Sequence, residues 1–271
     1  MNRFDAIDIN MGCPARKVVG SGNGSALLLN PEKAVAVMRA VRENTSLPVR
    51  LKLRLGWDEE HITAPELIRA AQALGFESVT VHGRTRMQMY QGEVDAEAIA
   101  RICAGCSLPI YANGGVTCAE DAVAFLERTC AYGVSIGRAA LKQPWIFDDI
   151  RRLRAGKAIP DRDAAERVRV LLRLAELSCA LRPEPVAICE MRKYSRWLLT
   201  GLTGSEALFE SLNGIDTLDG YRHALDKYLN QLICARDTWI HDDQKKKVSL
   251  DTAQRQPKKR RCSLSEARKN M

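Results

Sequence analysis

The chain has 271 residues, 46% of them hydrophobic, which is enough to bury the core of one large domain or two smaller ones. It contains no run of about 18 apolar residues and no basic N-terminal segment followed by an apolar stretch, so the sequence predicts neither a membrane span nor a secretory signal. Nine cysteines without framework spacing are typical of a reducing, cytoplasmic compartment.

The net charge of +8 belongs to the C-terminal tail. Residues 244–271 contain ten Lys and Arg against two acidic residues, so the remaining residues hold 31 charges of each sign. Because the tail has few large apolar residues, it cannot form a core, and the sequence predicts a disordered basic segment over 244–271.

Strand-like runs alternate with amphipathic stretches over residues 1–157. The predicted strands are Asp5–Asn10, Val49–Arg54, Ser78–Gly83, Pro109–Gly114 and Tyr132–Gly137. This alternation predicts a parallel α/β architecture.

Short motifs predict where three of the intervening helices begin. Asn30-Pro31 predicts an N-cap followed by proline in the first helical position. Thr63-x-x-Glu66 and Thr117-x-x-Glu120 predict capping boxes.

The strand pattern ends after Gly156. The rest reads as helices over 163–182, 185–200, 205–213 and 218–240, separated by Arg182-Pro183, Thr200-Gly201 and Asn213-Gly214. We therefore expect a second, all-helical domain over 163–240.

The second predicted strand alternates apolar residues with cations, as Val-Arg-Leu-Lys-Leu-Arg from Val49 to Arg54. In a β/α barrel the apolar set faces the surrounding helices and the cations face the interior, where a positive charge is costly unless an anionic group meets it. Asn10, His82 and Asn113 end other strands on the same side. These residues are either ordinary loop-edge polar groups or parts of a site at the carboxyl ends of the strands.

Two further motifs follow strands. Cys13 lies in a tight loop between Gly12 and Pro14, where a thiol is either catalytic or buried filler. Gly137-Arg138 follows the last strand and, together with Asn113-Gly114-Gly115, predicts a binding site for a phosphate-bearing cofactor.

Two other motifs also have plainer explanations. Cys103-x-x-Cys106 has metal-ligand spacing but no second pair of ligands, so we interpret it as two thiols at a helix end and expect no metal site. The cation-dense segment around Arg192 and Lys193 is either a solvated helix face or a surface that lies along a phosphate backbone.

Together, and in their order along the chain, these motifs resemble the tRNA-dihydrouridine synthase family. The matching segments are Asn10–Pro14, Lys17-Val18 with the Ala-Leu-Leu that follows, Leu51–Arg54, Val81–Thr85, Ala112–Gly114 and Ile136–Arg138. The resemblance runs from residue 4 to about 240. It implies a (β/α)8 TIM barrel of α/β class that binds FMN, here only about its last five βα units over 1–157, followed by a helical tRNA-binding domain.

The resemblance also implies an activity and a set of site residues. NADPH would reduce the flavin, hydride would pass to C6 of a tRNA uridine, and Cys13 would protonate C5. Lys52 and His82 would contact the flavin, and Asn10 would bind the uracil edge. The residues implied in holding the FMN phosphate are Asn113, Gly114, Gly115, Gly137 and Arg138. Those implied in gripping the tRNA backbone are Arg84, Arg86, Arg192 and Lys193.

The chain also departs from the family pattern. The family's barrel begins with an Ala-Pro-Met strand and two more strands that this sequence lacks, and five strands cannot close an eight-stranded barrel. We expect that a missing N-terminal segment or a second chain completes it, or that the chain is inactive. Two alternatives therefore stay open: an FMN-dependent barrel oxidoreductase acting on a small pyrimidine or enone, and an inactive fragment that only binds RNA.

Overall fold

The computed structural model describes residues 4–233, which form two compact units that divide between Asp161 and Arg162. The first unit contains a five-stranded, fully parallel sheet in the order β1-β2-β3-β4-β5. Its strands are β1 (Ile7–Met11), β2 (Val49–Arg54), β3 (Ser78–His82), β4 (Ile110–Asn113) and β5 (Gly133–Ser135). Parallel strands in sequential order are those of consecutive βα units, so the predicted α/β class is confirmed.

Helices connect the strands and follow the last one. They are α1 (Arg16–Gly20), α2 (Pro31–Glu43), α3 (Ala64–Ala73), α4 (Ala96–Ala104), α5 (Ala119–Thr129), α6 (Arg138–Lys142) and α7 (Ile146–Arg154), with a 3₁₀ helix at Gly24–Leu29. The predicted strand β2 has the expected bounds. The other predicted strands overshoot the observed ones by one or two residues at one or both ends, because flanking turn residues read as extended. The first also ends one residue early, at Asn10 and not at Met11.

The two faces of the sheet differ in polarity. Leu51 and Leu53 of β2 are fully buried beneath the helices, where they join a core with Val79, Val81 and Ala112. The cations between them lie on the opposite face, so the predicted alternation of β2 is confirmed. The strand register places Lys52 beside Asn10 and Arg54 beside His82, and His82 beside Asn113. Polar side chains from neighbouring strands are thereby brought to one edge of the sheet.

Of the three predicted helix starts, one has the expected cap. The Asn30 side chain accepts a hydrogen bond from the Lys33 N–H, and Pro31 is the first residue of α2, as predicted. The capping box at Thr63 is wrong, because its hydroxyl donates to the Leu28 carbonyl instead.

The capping box at Thr117 is also wrong. The residue that caps α5 is Cys118, whose Sγ accepts from the Asp121 N–H, while the Thr117 hydroxyl donates to the Asp121 carboxylate. In both motifs the threonine hydroxyl donates to an acceptor elsewhere, and its oxygen does not cap a helix N–H.

Within residues 162–233 the second unit consists of helices joined by short turns and contains no strand. It comprises α8 (Ala164–Cys179), α9 (Glu184–Leu199), α10 (Ser205–Ser211), a 3₁₀ turn at Leu212–Gly214 and a helix over 218–233. The predicted extension of that last helix to 240 and the predicted disordered tail over 244–271 lie outside the described residues. Within 4–233, none of the helices is long and apolar enough to cross a membrane.

Candidate functional site

The carboxyl ends of all five strands open onto one pocket of about 970 Å³. Each strand contributes a side chain or backbone to its wall: Asn10 from β1, Lys52 and Arg54 from β2, His82 from β3, Asn113 from β4 and Ser135 from β5. A concave site at this end of the sheet is where β/α barrels perform their chemistry.

Cys13 lines this pocket from the loop after β1 and is half-buried. The Gly12 N–H donates to Asn10 Oδ1 at 3.0 Å. The Cys13 carbonyl accepts from both the N–H and the Oγ of Ser25, at 3.1 and 2.8 Å. Gly24 has φ of +58°, and a Cβ there would lie 2.9 Å from the Cys13 oxygen, so glycine is required for this close packing. The thiol is therefore carried by a loop with a fixed backbone.

Lys52 reaches across the pocket floor. Its Nζ donates to Asn113 Oδ1 at 3.1 Å, and Asn113 Nδ2 donates to the Ser135 carbonyl at 2.7 Å. Burial lowers the pKa of Lys52, and the nearby Arg54 lowers it further, while Asp8 opposes both. The ammonium group is thus held in place and is poorly compensated by other protein charges.

Arg54 lies beneath the pocket with 2% of its surface exposed. Its guanidinium donates to the carbonyls of Gly12, Thr85 and Met89 at 3.0, 2.9 and 2.8 Å. Burial lowers the pKa of Arg54. The guanidinium nevertheless stays charged, because arginine is not deprotonated in proteins at physiological pH.

His82 is 8% exposed, and its buried Nδ1 has no hydrogen-bond partner within the described residues. Burial, reinforced by Arg54, Lys52 and two further arginines, lowers its pKa to about 3. The imidazole is therefore neutral near pH 7. An orphaned ring nitrogen on a pocket wall is able to bond a ligand, since buried polar atoms are normally satisfied.

The opposite side of the pocket is built from glycines and cations. Gly114 and Gly115 have φ of +119° and +74°, and a Cβ on Gly114 would lie 3.2 Å from the His82 ring. Among residues 4–233, no atom beyond Gly137 and its chain neighbours lies within 4 Å of where a Gly137 Cβ would stand, so the backbone there is open to a ligand. Arg138, the first residue of α6, lies with its guanidinium carbon 5.1 Å from the Tyr90 ring centre.

The pocket has a strongly positive lining. Its cationic residues are Lys52, Arg54, Arg84, Arg138 and Lys142, and none of the described residues that line it is acidic. Clustered like charges in a concave, partly dry site attract an anion of opposite sign. The arrangement therefore suits a phosphate-bearing ligand.

The two arginines predicted to grip RNA beside the pocket differ in position. Arg84 reaches the pocket, but its Nε and Nη2 both donate to the Gly92 carbonyl, at 3.1 and 2.8 Å. Arg86 does not line the pocket, and its guanidinium lies 4.6 Å from the ring centre of Trp57. Arg84 thus holds its own loop, and Arg86 contacts the loop after β2. Their contact with RNA stays a prediction.

The other two predicted RNA contacts lie on α9 in the second unit. Arg192 is half-buried, and its Nη2 donates to the Ile215 carbonyl at 3.1 Å. Lys193 is exposed, with Nζ 4.5 Å from the Trp197 ring centre. Lys193 is therefore more accessible to solvent than Arg192.

Several pocket residues were not predicted as site residues: Arg54, Tyr90, Lys142 and Ser135. Arg54 and Ser135 continue the inward side of their strands, so strand parity could have identified them. Lys142 lies four residues after Arg138 on one helix face. Tyr90 lies in an irregular loop, and its position had no sequence signal.

Comparisons with known proteins agree with each other. The model of the dihydrouridine synthase (Dus) family matches residues 2–233. A probable tRNA-dihydrouridine synthase of Rhizobium leguminosarum bv. phaseoli is 40% identical over 233 residues, covering 82% of this chain and 70% of that protein. One from Rhodobacter capsulatus is 46% identical over 156 residues, covering 58% and 48%. The tRNA-dihydrouridine synthase B of Pseudomonas syringae pv. tomato is 38% identical over 210 residues, covering 76% and 62%.

The chain matches only part of each of these relatives. The matched share of their length is 70% in the Rhizobium protein, 48% in the Rhodobacter protein and 62% in the Pseudomonas protein.

Proposed function

Because the chain belongs to the dihydrouridine synthase family, we propose that it reduces a uridine of tRNA to 5,6-dihydrouridine, with FMN as cofactor and NADPH as reductant. The observation that carries this proposal is the placement of Cys13, Lys52, His82 and Arg138 around one cationic pocket. A thiol, an unpaired imidazole nitrogen and a phosphate-sized anion site are then available to one bound ligand and one substrate.

The residues present fit FMN. Arg138 and Lys142, with the open backbone at Gly137 and the positive-φ glycines Gly114 and Gly115, would hold its phosphate. Lys52 and the orphaned Nδ1 of His82 would meet the ring system. Lys52 would stabilise the negative charge of a reduced flavin, and Asn113 fixes the direction of its ammonium group.

FMN, when bound, would supply the redox chemistry, with NADPH as the source of the hydride that is added at C6 of the uracil. Cys13 then donates its thiol proton to C5, so that the C5–C6 double bond becomes single and the thiolate is reprotonated from solvent. The loop held by Ser25 and Asn10 keeps the thiol in one position for this transfer. Asn10 is exposed at the pocket rim, where its amide would bind the uracil edge.

A base inside a folded tRNA must leave its stack to enter a concave pocket of this kind. Lys193 on α9 and the arginines Arg84, Arg86 and Arg192 are proposed to bind the phosphate backbone while it does so. For three of these the guanidinium already has a partner within the protein, so Lys193 is expected to contribute most.

The deciding experiment combines flavin spectroscopy with tRNA mass spectrometry. Purified protein is expected to show visible flavin absorption, and tRNA lacking dihydrouridine is expected to gain two hydrogens per modified uridine when NADPH is present. A colourless protein that binds tRNA would instead indicate an RNA-binding fragment.

Free uracil, uridine and uridine monophosphate are the matched substrate controls. A yellow protein that reduces one of them faster than tRNA would contradict the tRNA specificity and support a small-molecule oxidoreductase. The oxidation of NADPH under each condition, measured without substrate as the blank, separates turnover from uncoupled flavin oxidation.

A further inference from the structure

Arg54 is the largest fully buried side chain of the first unit. Burying a charge stabilises a fold only when hydrogen bonds replace its lost hydration. Its recorded partners are three backbone carbonyls, with the Tyr90 ring centre 5.6 Å from the guanidinium carbon. Backbone dipoles, not a carboxylate, therefore compensate this charge.

The three carbonyls belong to two different loops. Nε donates to Gly12, the residue directly before Cys13, at 3.0 Å. Nη1 donates to Thr85 and Met89, in the loop after β3, at 2.9 and 2.8 Å. A guanidinium has five N–H donors in a rigid plane, so one side chain can bind acceptors in different directions at fixed angles, which a lysine cannot.

The loop after β3 is itself firmly held, so it can serve as the fixed end of this connection. Arg84 donates twice to the Gly92 carbonyl and closes the loop on itself. The Thr85 N–H donates to Gln88 Oε1 at 2.7 Å, and the Arg86 N–H donates to the Gly56 carbonyl at 2.9 Å. Met89 has a φ of +53°, a backbone conformation that residues other than glycine rarely adopt, so the surrounding structure must enforce it.

We infer that Arg54 is a positioning residue for Cys13: its guanidinium ties the peptide before the thiol to the rigid loop at residues 84–92 and so fixes where the thiol points. Its importance for catalysis rests on the proposed function. The structural part of the inference, that the Cys13 loop depends on Arg54, does not.

The structural part is tested by the rate at which Cys13 is alkylated in the Arg54→Lys variant, measured by peptide-resolved mass spectrometry. Lysine keeps the positive charge, so a change in rate reports lost geometry and not lost charge. A loosened loop exposes the half-buried thiol more often, and we expect a severalfold faster reaction at Cys13. The exposed Cys189, in the second unit, provides the internal reference. An unchanged Cys13 rate would overturn the inference.

Arg42→Lys is the matched control. Arg42 also donates to two backbone carbonyls, those of Thr45 and Leu47, but it touches neither loop of the pocket. It is expected to leave the alkylation of Cys13 as in the unmodified chain. An equal acceleration in both variants would mean that Cys13 reports general loosening, which also overturns the inference.

A second variant keeps the test decisive if Arg54→Lys does not fold. Gln88→Ala removes the side chain that holds the Thr85 N–H, and it contacts neither Arg54 nor Cys13 in any recorded hydrogen bond. Because it loosens the loop that carries two of the three acceptors, it is expected to raise the Cys13 alkylation rate as well. No effect at Cys13 would show that the two loops are not coupled.

The catalytic part is tested by single-turnover tRNA reduction and by steady-state kinetics. Arg54→Lys is expected to slow the single-turnover step and to lower kcat more than it changes KM. A raised KM with an unchanged kcat would show that Arg54 binds substrate and does not position the thiol. If the unmodified chain reduces no tRNA, the proposed function fails, and the alkylation result still decides whether Arg54 fixes Cys13.

Discussion

At the scale of single residues, the proposed acid is the side chain whose removal has the clearest expected result. Cys13→Ala is expected to abolish dihydrouridine formation and to leave FMN bound, because the thiol lies at the pocket rim and makes no recorded contact that holds the glycines at its other end. Single-turnover reduction of tRNA by prereduced protein measures this. A rate equal to that of the unmodified chain would exclude the acid role.

Arg138 is the residue on which flavin affinity should depend most. Arg138→Ala is expected to weaken FMN binding by about 1.5–3 kcal/mol, the usual contribution of a charge-assisted hydrogen bond to phosphate. Equilibrium dialysis against FMN provides the measurement. Arg128→Ala, which removes an exposed arginine paired with Glu97, is the control and should retain full affinity. Equal affinities in the two variants would assign Arg138 to packing.

His82 should make the stability of the flavin-free protein depend on pH. Its folded pKa of about 3 lies below the unfolded value of 6.5, so below pH 6.5 the unfolded chain binds a proton that the folded one does not. The free energy of unfolding therefore falls with acidification, by about 2 kcal/mol between pH 7 and pH 5. Urea titrations at both pH values measure it. His82→Gln should lose this part of the decrease, and His223→Gln, at an exposed position, should not.

Strand parity explains how much of the pocket could be predicted from the sequence. Lys52 and Asn113 follow directly from it, because a period of two puts alternate residues of each strand on one face. The same rule places Arg54 in the pocket, but parity cannot show that its guanidinium binds three loop carbonyls. The bond from Arg84 to the Gly92 carbonyl could not be predicted, since contacts within irregular loops have no periodic signal in the sequence.

At the scale of secondary-structure elements, α2 offers a test of a correctly predicted cap. Asn30→Ala removes the side-chain oxygen that accepts from the Lys33 N–H, and should lower the free energy of unfolding by about 1 kcal/mol. Lys33→Ala changes a side chain in the same turn but keeps that N–H, and should be nearly neutral. Urea unfolding of the two variants checks this. A loss in both would mean that the exposed side chains, and not the cap, stabilise the turn.

The other two helix starts show why such motifs are less reliable when threonine supplies the cap. The pattern at Thr63 and at Thr117 is that of a capping box, yet the first hydroxyl donates to the carbonyl of Leu28 and the second to the carboxylate of Asp121. A sequence pattern describes local competition for hydrogen bonds only. Leu28 is 35 residues away from Thr63 along the chain, and only the packed fold brings it within reach.

At the scale of the whole molecule, charge is distributed unevenly along the chain. Residues 244–271, which lie outside the described part of the structure, contain clusters at Lys245–Lys247 and Lys258–Arg261 and account for the entire net charge of +8. Short basic clusters also occur in nuclear-localisation signals, but a sequence-independent grip on tRNA phosphates follows from the same charges. We expect the tail to act as such an auxiliary RNA contact.

Deleting 244–271 is therefore expected to flatten the salt dependence of tRNA affinity without changing which uridine is reduced. Each phosphate that the tail neutralises releases counterions, and its loss should lower the slope of log affinity against log salt by about 0.7–0.9. Affinity measured across a salt series for both forms gives the two slopes. Deletion of 262–271 alone, which removes only Arg268 and Lys269 among the tail's cations, is the control and should give an intermediate slope close to that of the full chain. Identical slopes for the full chain and the 1–243 form would show that the tail does not touch the RNA. The affinity would then depend on residues 1–243, whose net charge is zero. In that case Lys193 and the pocket arginines must concentrate positive charge locally.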